Sequence, residues 1–486
     1  MRSAWASFVP NWPLWVGLAI LARLLAQPRA LLNDPDTYLH IAAGRWIWAH
    51  WALPTADPFS YSMPGARWVP GEWLAEAILA AVYDRTGWSG VIILSAACVA
   101  VALALLCHFL TRRVGPLAAL IMTLMGAGLV FPHTVARAHV LAMPLLVLWS
   151  GSLMAARDRA AGPRWLLLPV MVVWANLHAS FLFGIGLAGW LAAEAVWKSP
   201  TRREAAVRWG CFVVAGVGAG LLTPSGPTAF LQPLRLMAMP ALEASFGEWL
   251  PPNFAGFPAL ELWVVAAIAI GFTLRVRVEW PRLGLLLVLL HMALRHVRHA
   301  DLLGLVGPLV LAEGLGTALG GYGSVFAGSG LWRGAARLAG PVRWPALGVT
   351  LGLAATLALP LIVHPVVRAD DQVTPASATR AARDLGLSGP IFNSEAFGGY
   401  LAFSGVRDFI DGRVEMFGND FLAADVAAEG GNEAVLSRLL ARYGIAWTLL
   451  RPDNGAVAVL ERLPGWHRVY ADPYAVIDVR TPAGAP

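Results

Sequence analysis

Long apolar runs, separated by short breaks rich in Arg, Pro and Gly, recur along the chain from residue 11 to residue 364. A helix needs about 20 apolar residues to cross a bilayer. Reading the runs between charged or Pro/Gly breaks predicts about eleven helical spans. They centre near residues 11–26, 89–110, 115–131, 139–155, 165–177, 179–197, 209–223, 259–274, 281–294, 300–320 and 345–364. The fifth and sixth meet at Asn176–Ser180, where the pattern fits either two helices or one long kinked one. Runs this long, without alternation, exclude a transmembrane β-barrel. The fold class is therefore an all-α polytopic bundle.

Three stretches depart from this pattern. Segment 27–88 mixes Asp, Arg, Trp and Pro and carries two helix-like patches, 36–50 and 72–84. Segment 224–258 is long, Pro-rich and aromatic, and reads as a lid or as a re-entrant interfacial piece. The tail, 365–486, alternates helical patterns (375–386, 432–443) with strand patterns (Ile445–Leu450, Tyr474–Val479), which predicts a small C-terminal α/β domain. The transmembrane unit then covers 1–364.

Composition narrows the class. Hydrophobic residues make up 57% of the chain and charged ones 14%, against about 25% in soluble proteins. Mean hydropathy is +0.61. A soluble enzyme, a disordered chain and a single-span anchor are excluded. The net charge of +6 comes from Arg, since Lys198 is the only lysine. Most of these Arg residues sit at helix ends, so membrane topology accounts for them and no nucleic-acid partner is implied. Cys98, Cys107 and Cys211 lie in different or opposed positions and predict no disulfide or zinc site. No small-residue cleavage site follows the first apolar run, which reads as a retained span.

Orientation follows from counting Arg and Lys in the short connections. One set holds Arg112, Arg113, Arg157, Arg159, Arg164, Lys198, Arg202, Arg203, Arg208, Arg275, Arg277, Arg282, Arg333, Arg337 and Arg343, with Arg2 ahead of them. The alternate set holds Arg137, Arg235, Arg295 and Arg298. The N-terminus is thus expected in the cytoplasm, with 27–88 and the tail outside. Arg- and Ala-rich usage suits a GC-rich bacterial genome, which makes the compartment a bacterial inner membrane facing the periplasm.

Polar chemistry crowds the outer side. Nine of eleven His lie there: His40, His50, His133, His139, His178, His296, His299, His364 and His467. Five patches stand out. In Asn33–His40, Asp34 suits an N-cap and Pro35 the first turn, but neither needs Asp36, which shares a helix face with His40. A carboxylate there can take a proton from a hydroxyl or hold a divalent cation. Glu72 and Glu76 share a face at a helix start, as dipole partners or as further site acids. Asn176 and His178 fall between apolar runs, where polar groups pair with each other or face a cavity. Arg295, His296, Arg298 and His299 gather cations suited to a phosphate, or to lipid headgroups. Glu248 is the prominent acid of the 224–258 segment.

These residues resemble the GT-C superfamily of polytopic glycosyltransferases, which includes protein O-mannosyltransferases, aminoarabinose transferases and the oligosaccharyltransferase catalytic subunit. More closely they resemble a bacterial glycosyltransferase-like group. The resemblance rests on Asp34-Pro35-Asp36-Thr37-Tyr38-Leu39-His40 with Gly44-Arg45-Trp46-Ile47, on Asp57-Pro58-Phe59-Ser60-Tyr61 and on Glu72-Trp73-Leu74-Ala75-Glu76. Asn176-Leu177-His178, Glu248-Trp249, Arg295–His299 and Asp411-Gly412-Arg413 extend it along nearly the whole chain. It implies a sugar donor on a polyprenyl phosphate, transferred with inversion outside the membrane to a glycan, lipid or protein acceptor. The family's base maps onto Asp36 or Asp34. His40, Glu72, Asn176, His178, Glu248, Arg295, His296 and Arg298 become substrate-binding residues. A divalent metal, used by oligosaccharyltransferases, lacks its second acidic motif here, since His133, Arg137 and His139 stand in that loop.

A lipid-linked sugar or polysaccharide transporter and a non-catalytic scaffold are the competing classes. A transporter needs a polar path across the bilayer, and the inner halves of the runs read as nearly free of buried charge. An O-antigen ligase or polymerase also places Arg and His outside, but without an acidic loop directly after the first span.

Overall fold

The computed structural model describes residues 9–245, 247–255, 258–320 and 342–481. Arg2, Arg333 and Arg337 of the orientation count lie outside them. Helices occupy all eleven expected runs, among them Trp12–Leu25, Pro116–Val130, Ala138–Asp158, Ala300–Gly320 and Trp344–Val363. Among the described residues, six stretches are long and apolar enough to cross a membrane, and three shorter apolar helices accompany them. The protein is a multi-pass membrane protein.

Local chemistry sets the breaks. Asn11 caps the first helix, its side chain accepting from Leu14 N. Helix Trp73–Val114 begins outside the apolar run and continues into it through a kink at Gly87, whose φ of +61° suits glycine. Gly115 then ends it, and Pro116 opens the next helix. Residues Asn176–Ser180 separate helix Leu168–Leu177 from helix Phe181–Lys198. His178 is extended there, and its Nδ1 meets the Ser180 hydroxyl at 2.8 Å.

One sequence expectation fails at the end of the bundle opposite segment 27–88. Buried charge is present there. Glu194 lies in an apolar run and is 2% exposed, yet Arg157 Nη2 reaches it at 2.6 Å and Arg282 Nε at 2.9 Å. Arg282 also holds Asp158 at 2.7 Å, and Arg113 binds the same carboxylate at 2.8 Å. Glu279 joins Arg157 and Lys198 to the set. Sequence spacing hides this because the partners come from different helices. Cations and acids neutralise one another there, so the network clasps helix ends together.

The tail forms a four-stranded sheet with order β1-β2-β4-β3, where β1 is Ile391–Asn393, β2 Trp447–Leu449, β3 Trp466–Ala471 and β4 Val476–Arg480. β1 and β2 are parallel; the other pairs are antiparallel. Helices Ala376–Asp384 and Glu433–Arg442 fall within the predicted patterns. Phe392, Phe409, Phe421 and Tyr443 supply an aromatic core.

This tail is threaded into segment 27–88. The Tyr38 ring stands edge-on to Trp88 and Tyr400, and its hydroxyl meets Thr374 Oγ1 at 3.0 Å. Tyr61 donates to Ile391 O, and Ser62 to Phe409 O. Arg413 grips Asp411 with two nitrogens, reaches Asp57, and lies over the Trp68 ring at 4.7 Å. Two carboxylates and an aromatic face satisfy this buried guanidinium. Residues more than 300 positions apart thereby tie the tail to segment 27–88.

Candidate active site

A cavity of about 570 Å³ opens where segment 27–88, the 224–258 segment and the tail converge. Helix Asp36–His50 brings Asp36 and His40 to its wall, and the start of helix Trp73–Val114 brings Glu76, with Glu72 just before it. Asp34 Oδ1 accepts from Asp36 N at 2.8 Å. Pro35 rather than Asp34 takes the N-cap position, so Asp34 holds the first helical N–H from one residue farther out than the spacing predicts. From elsewhere in the chain come Arg137, His178, Glu248, Trp249, Arg298, Glu395, Gly412 and Glu415.

Arg137 is the hub. Its Nη2 lies 2.6 Å from Asp36 Oδ2, and its Nη1 lies 3.6 Å from Asp34 and 3.5 Å from Glu248. Glu248 in turn accepts from Arg298 Nη1 at 2.9 Å, and the Arg298 guanidinium lies over the Trp249 ring at 4.5 Å. Asp36 and two guanidinium groups therefore share one chamber. Gly412 also packs against Asp36, close enough that a Cβ there would meet Asp36 Oδ1 at 2.0 Å.

A second group of side chains lines the same chamber. His40 lies between Glu72 and Glu76, 3.7 Å from each, and His178 Nε2 lies 3.4 Å from Glu72. The rings of His178 and His139 are 6.1 Å apart.

Burial and charge oppose each other in these groups. Burial pushes Asp34 up to about 6 against the pull of Arg137, and the Asp36 charge adds to the rise. Burial raises Glu248 too, but Arg137 and Arg298 outweigh it and hold its carboxyl below the ordinary value. Burial lowers His40, yet Glu76 and Glu72 more than compensate and its pKa rises. Glu72 is raised by burial. On the tail side, burial pushes Glu415 up to about 7, and burial with the Asp36 charge raises Glu395.

Of the residues singled out from sequence, the structure brings Asp34, Asp36, His40, Glu72, His178, Glu248 and Arg298 to one cavity. Three stand apart from its lining. Asn176 ties helices instead: its Oδ1 accepts from Trp73 Nε1 at 2.7 Å, and its Nδ2 donates to Val172 O and Leu222 O. His296 Nδ1 meets Trp249 O at 2.6 Å, bracing the segment that carries Glu248. Arg295 ends helix Trp280–Arg295 one residue earlier. Arg137 occupies the position expected for Arg295. Its sequence signal is present, as the one Arg in a short outer connection, but nothing local shows that it faces Asp36. Glu395, Gly412 and Glu415 likewise become site residues through the docking of the tail.

Among the described residues, no three or more His, Cys, Asp or Glu are arranged to hold a metal ion. The acids that the resemblance offers as ligands are instead bridged by Arg137. The donor set fits a guanidinium rather than a divalent cation.

The sequence matches no protein-family model and no curated protein. Solved structures do match. The oligosaccharyltransferase of Archaeoglobus fulgidus in its apo form superimposes with a TM-score of 0.52 at 12% identity, over 97% of this chain and 75% of that one. The oligosaccharyltransferase AglB from Archaeoglobus fulgidus, in complex with an inhibitory peptide and a dolichol-phosphate, gives 0.52 at 13% identity, over 98% of this chain and 75% of that one. ArnT from Cupriavidus metallidurans bound to undecaprenyl phosphate gives 0.51 at 14% identity, over 97% of this chain and 98% of that one. The chain shares the fold of these solved structures. At these identities the likeness is one of architecture. The helical bundle and the small C-terminal sheet match the expectations from sequence.

Proposed function

We propose that the protein is a membrane glycosyltransferase that moves a sugar from a polyprenyl-phosphate donor to an acceptor hydroxyl, with inversion. The observation that carries this reading is the shared chamber of Asp36, Arg137 and Arg298. The GT-C neighbours bound to dolichol-phosphate and undecaprenyl phosphate support it. The excess of Arg and Lys at the opposite end supports an extracytoplasmic site in a bacterial inner membrane. The acceptor, whether glycan, lipid or protein, is left unspecified.

Asp36 is the general base. The acceptor oxygen attacks the anomeric carbon in line as its proton passes to Asp36. The bond from that carbon to the phosphate oxygen breaks, and the electron pair leaves with the lipid phosphate. Arg137 and Arg298 stabilise the growing charge. Arg137 rests on Asp36, so a phosphate that draws it away frees the Asp36 oxygen at the moment the donor is seated. Glu248 joins the two guanidiniums and sets their spacing.

The test is a density map of the full-length protein in lipid nanodiscs after incubation with undecaprenyl phosphate. Phosphate density bridging Arg137 and Arg298 is the expected outcome. Density confined to the opposite end of the bundle, or none under saturating lipid, would overturn the assignment.

A further inference from the structure

Helix Thr228–Met237 turns two different faces outward and inward. Ala229, Gln232, Pro233 and Leu236 line the cavity. Their spacing of three, four and seven residues puts them on one helix face. Leu231 and Leu234 fall on the other face, where they are 48% and 59% exposed. Arg235, the only charged residue of the helix, is exposed beside them. Phe230 fixes the helix in this orientation, edge-on to Phe181 of the bundle at 5.2 Å.

The rest of the surface indicates what covers the outward face. Segment 224–258 exposes Leu231, Leu234, Met237, Leu250 and Phe254. The much longer tail exposes only Val367, Leu385 and Tyr474 of its large apolar side chains among the described residues. The segment thus resembles the spans, which expose Val214 at 72% and Leu222 at 65% immediately before it. Compact turns join the two, with Gly226 N donating to Thr223 O and Thr228 N to Ser225 O, so the helix starts close to the end of a span. An amphipathic helix with a basic residue flanking its apolar face suits the boundary between water and acyl chains. Arg235 can lay its stem along that boundary and present its guanidinium to lipid phosphates.

We infer that helix Thr228–Met237 lies in the bilayer surface on the chamber side of the membrane, with Leu231 and Leu234 among the acyl chains and Arg235 on lipid phosphates, so that the bilayer itself holds one wall of the chamber. This goes beyond the transfer reading and stands without it.

The test uses the wild-type protein in nanodiscs of phosphatidylcholine and phosphatidylglycerol. One sample carries a phospholipid with a diazirine on its acyl chain, a second a water-soluble diazirine, and adducts are mapped by mass spectrometry after irradiation. Lipid-probe adducts on Leu231 and Leu234 should come within about 3-fold of those on Val214 and exceed those on Leu385 of the tail by about 10-fold. Gln232, on the chamber face, should carry fewer than Leu231. Adducts on Leu231 and Leu234 from the water-soluble probe alone overturn the inference. So does protection from both probes, which marks cover by a second copy of the chain, and so does equal labelling of Gln232 and Leu231. Arg235→Glu should lower lipid-probe adducts on Leu231 about 3-fold at an unchanged melting temperature, because the carboxylate repels lipid phosphates. Unaltered labelling of that variant overturns the contact assigned to Arg235.

Discussion

Gly412 and Asp36 are packed so closely that a single methyl group on Gly412 would stand 2.0 Å from Asp36 Oδ1 and 2.9 Å from its Cγ. Gly412 is not among the glycines with positive φ, so an alanine changes this contact rather than the backbone preference. Gly412→Ala should therefore displace Asp36 and cut transfer by about 10-fold or more while the protein stays folded, because small misplacements at a reacting centre are costly. Turnover and melting temperature measured side by side check this.

Replacing Asp36 by Asn removes the base but keeps a similar shape. Transfer should fall about 10²–10⁴-fold. Affinity for undecaprenyl phosphate should hold or rise, since Arg137 loses a competing carboxylate. Full turnover by Asp36→Asn would sink the assignment.

Asp34 gives a pH dependence whose sign is fixed by its raised value. Its carboxyl titrates at about 6 in the fold against an ordinary value of 3.8. The folded state binds the proton more tightly than the unfolded chain does. Stability is therefore gained as pH falls from about 6 toward 4, and the ionised group is a liability above 6. Asp34→Asn keeps the acceptor for Asp36 N and removes that liability. The variant should be more stable than the wild type at pH 7.5 by on the order of 1–3 kcal/mol, read as a higher melting temperature, and the two should converge near pH 4. A variant equally shifted at both values would refute the electrostatic origin.

The clasp at the other end of the bundle should behave differently. Glu194→Gln leaves Arg157 and Arg282 buried without their shared carboxylate. Breaking a buried pair in this way costs about 3–5 kcal/mol. Thermal unfolding in detergent should detect the loss, and affinity of the surviving folded protein for undecaprenyl phosphate should be unchanged.

The bundle is legible in the sequence because each span declares itself locally, through an apolar run and a Pro, Gly or Arg break. The Asn176–Ser180 break and the helices of the tail are readable for the same reason. Arg137 is not. Its partnership with Asp36 joins residues 101 positions apart and is set by how helices pack, which no local pattern encodes. Glu194 is hidden in the same way, as an acid in an apolar run whose cations arrive from two other helices. Arg295, Arg298 and His296 look equivalent in sequence, yet a turn at Val297–His299 sends Arg298 into the cavity and leaves His296 holding the Trp249 carbonyl.

Tyr61 and Ser62 hang on backbone carbonyls of Ile391 and Phe409, and the segment that follows supplies Glu395, Gly412 and Glu415 to the chamber. During synthesis, the base and its guanidinium partners emerge long before that wall exists. A nascent chain halted at the last span would hold Asp36, Arg137 and Arg298 and still leave the chamber gaping to water. The chamber would then close late, and truncation between the last span and Glu415 would remove that wall without touching the bundle.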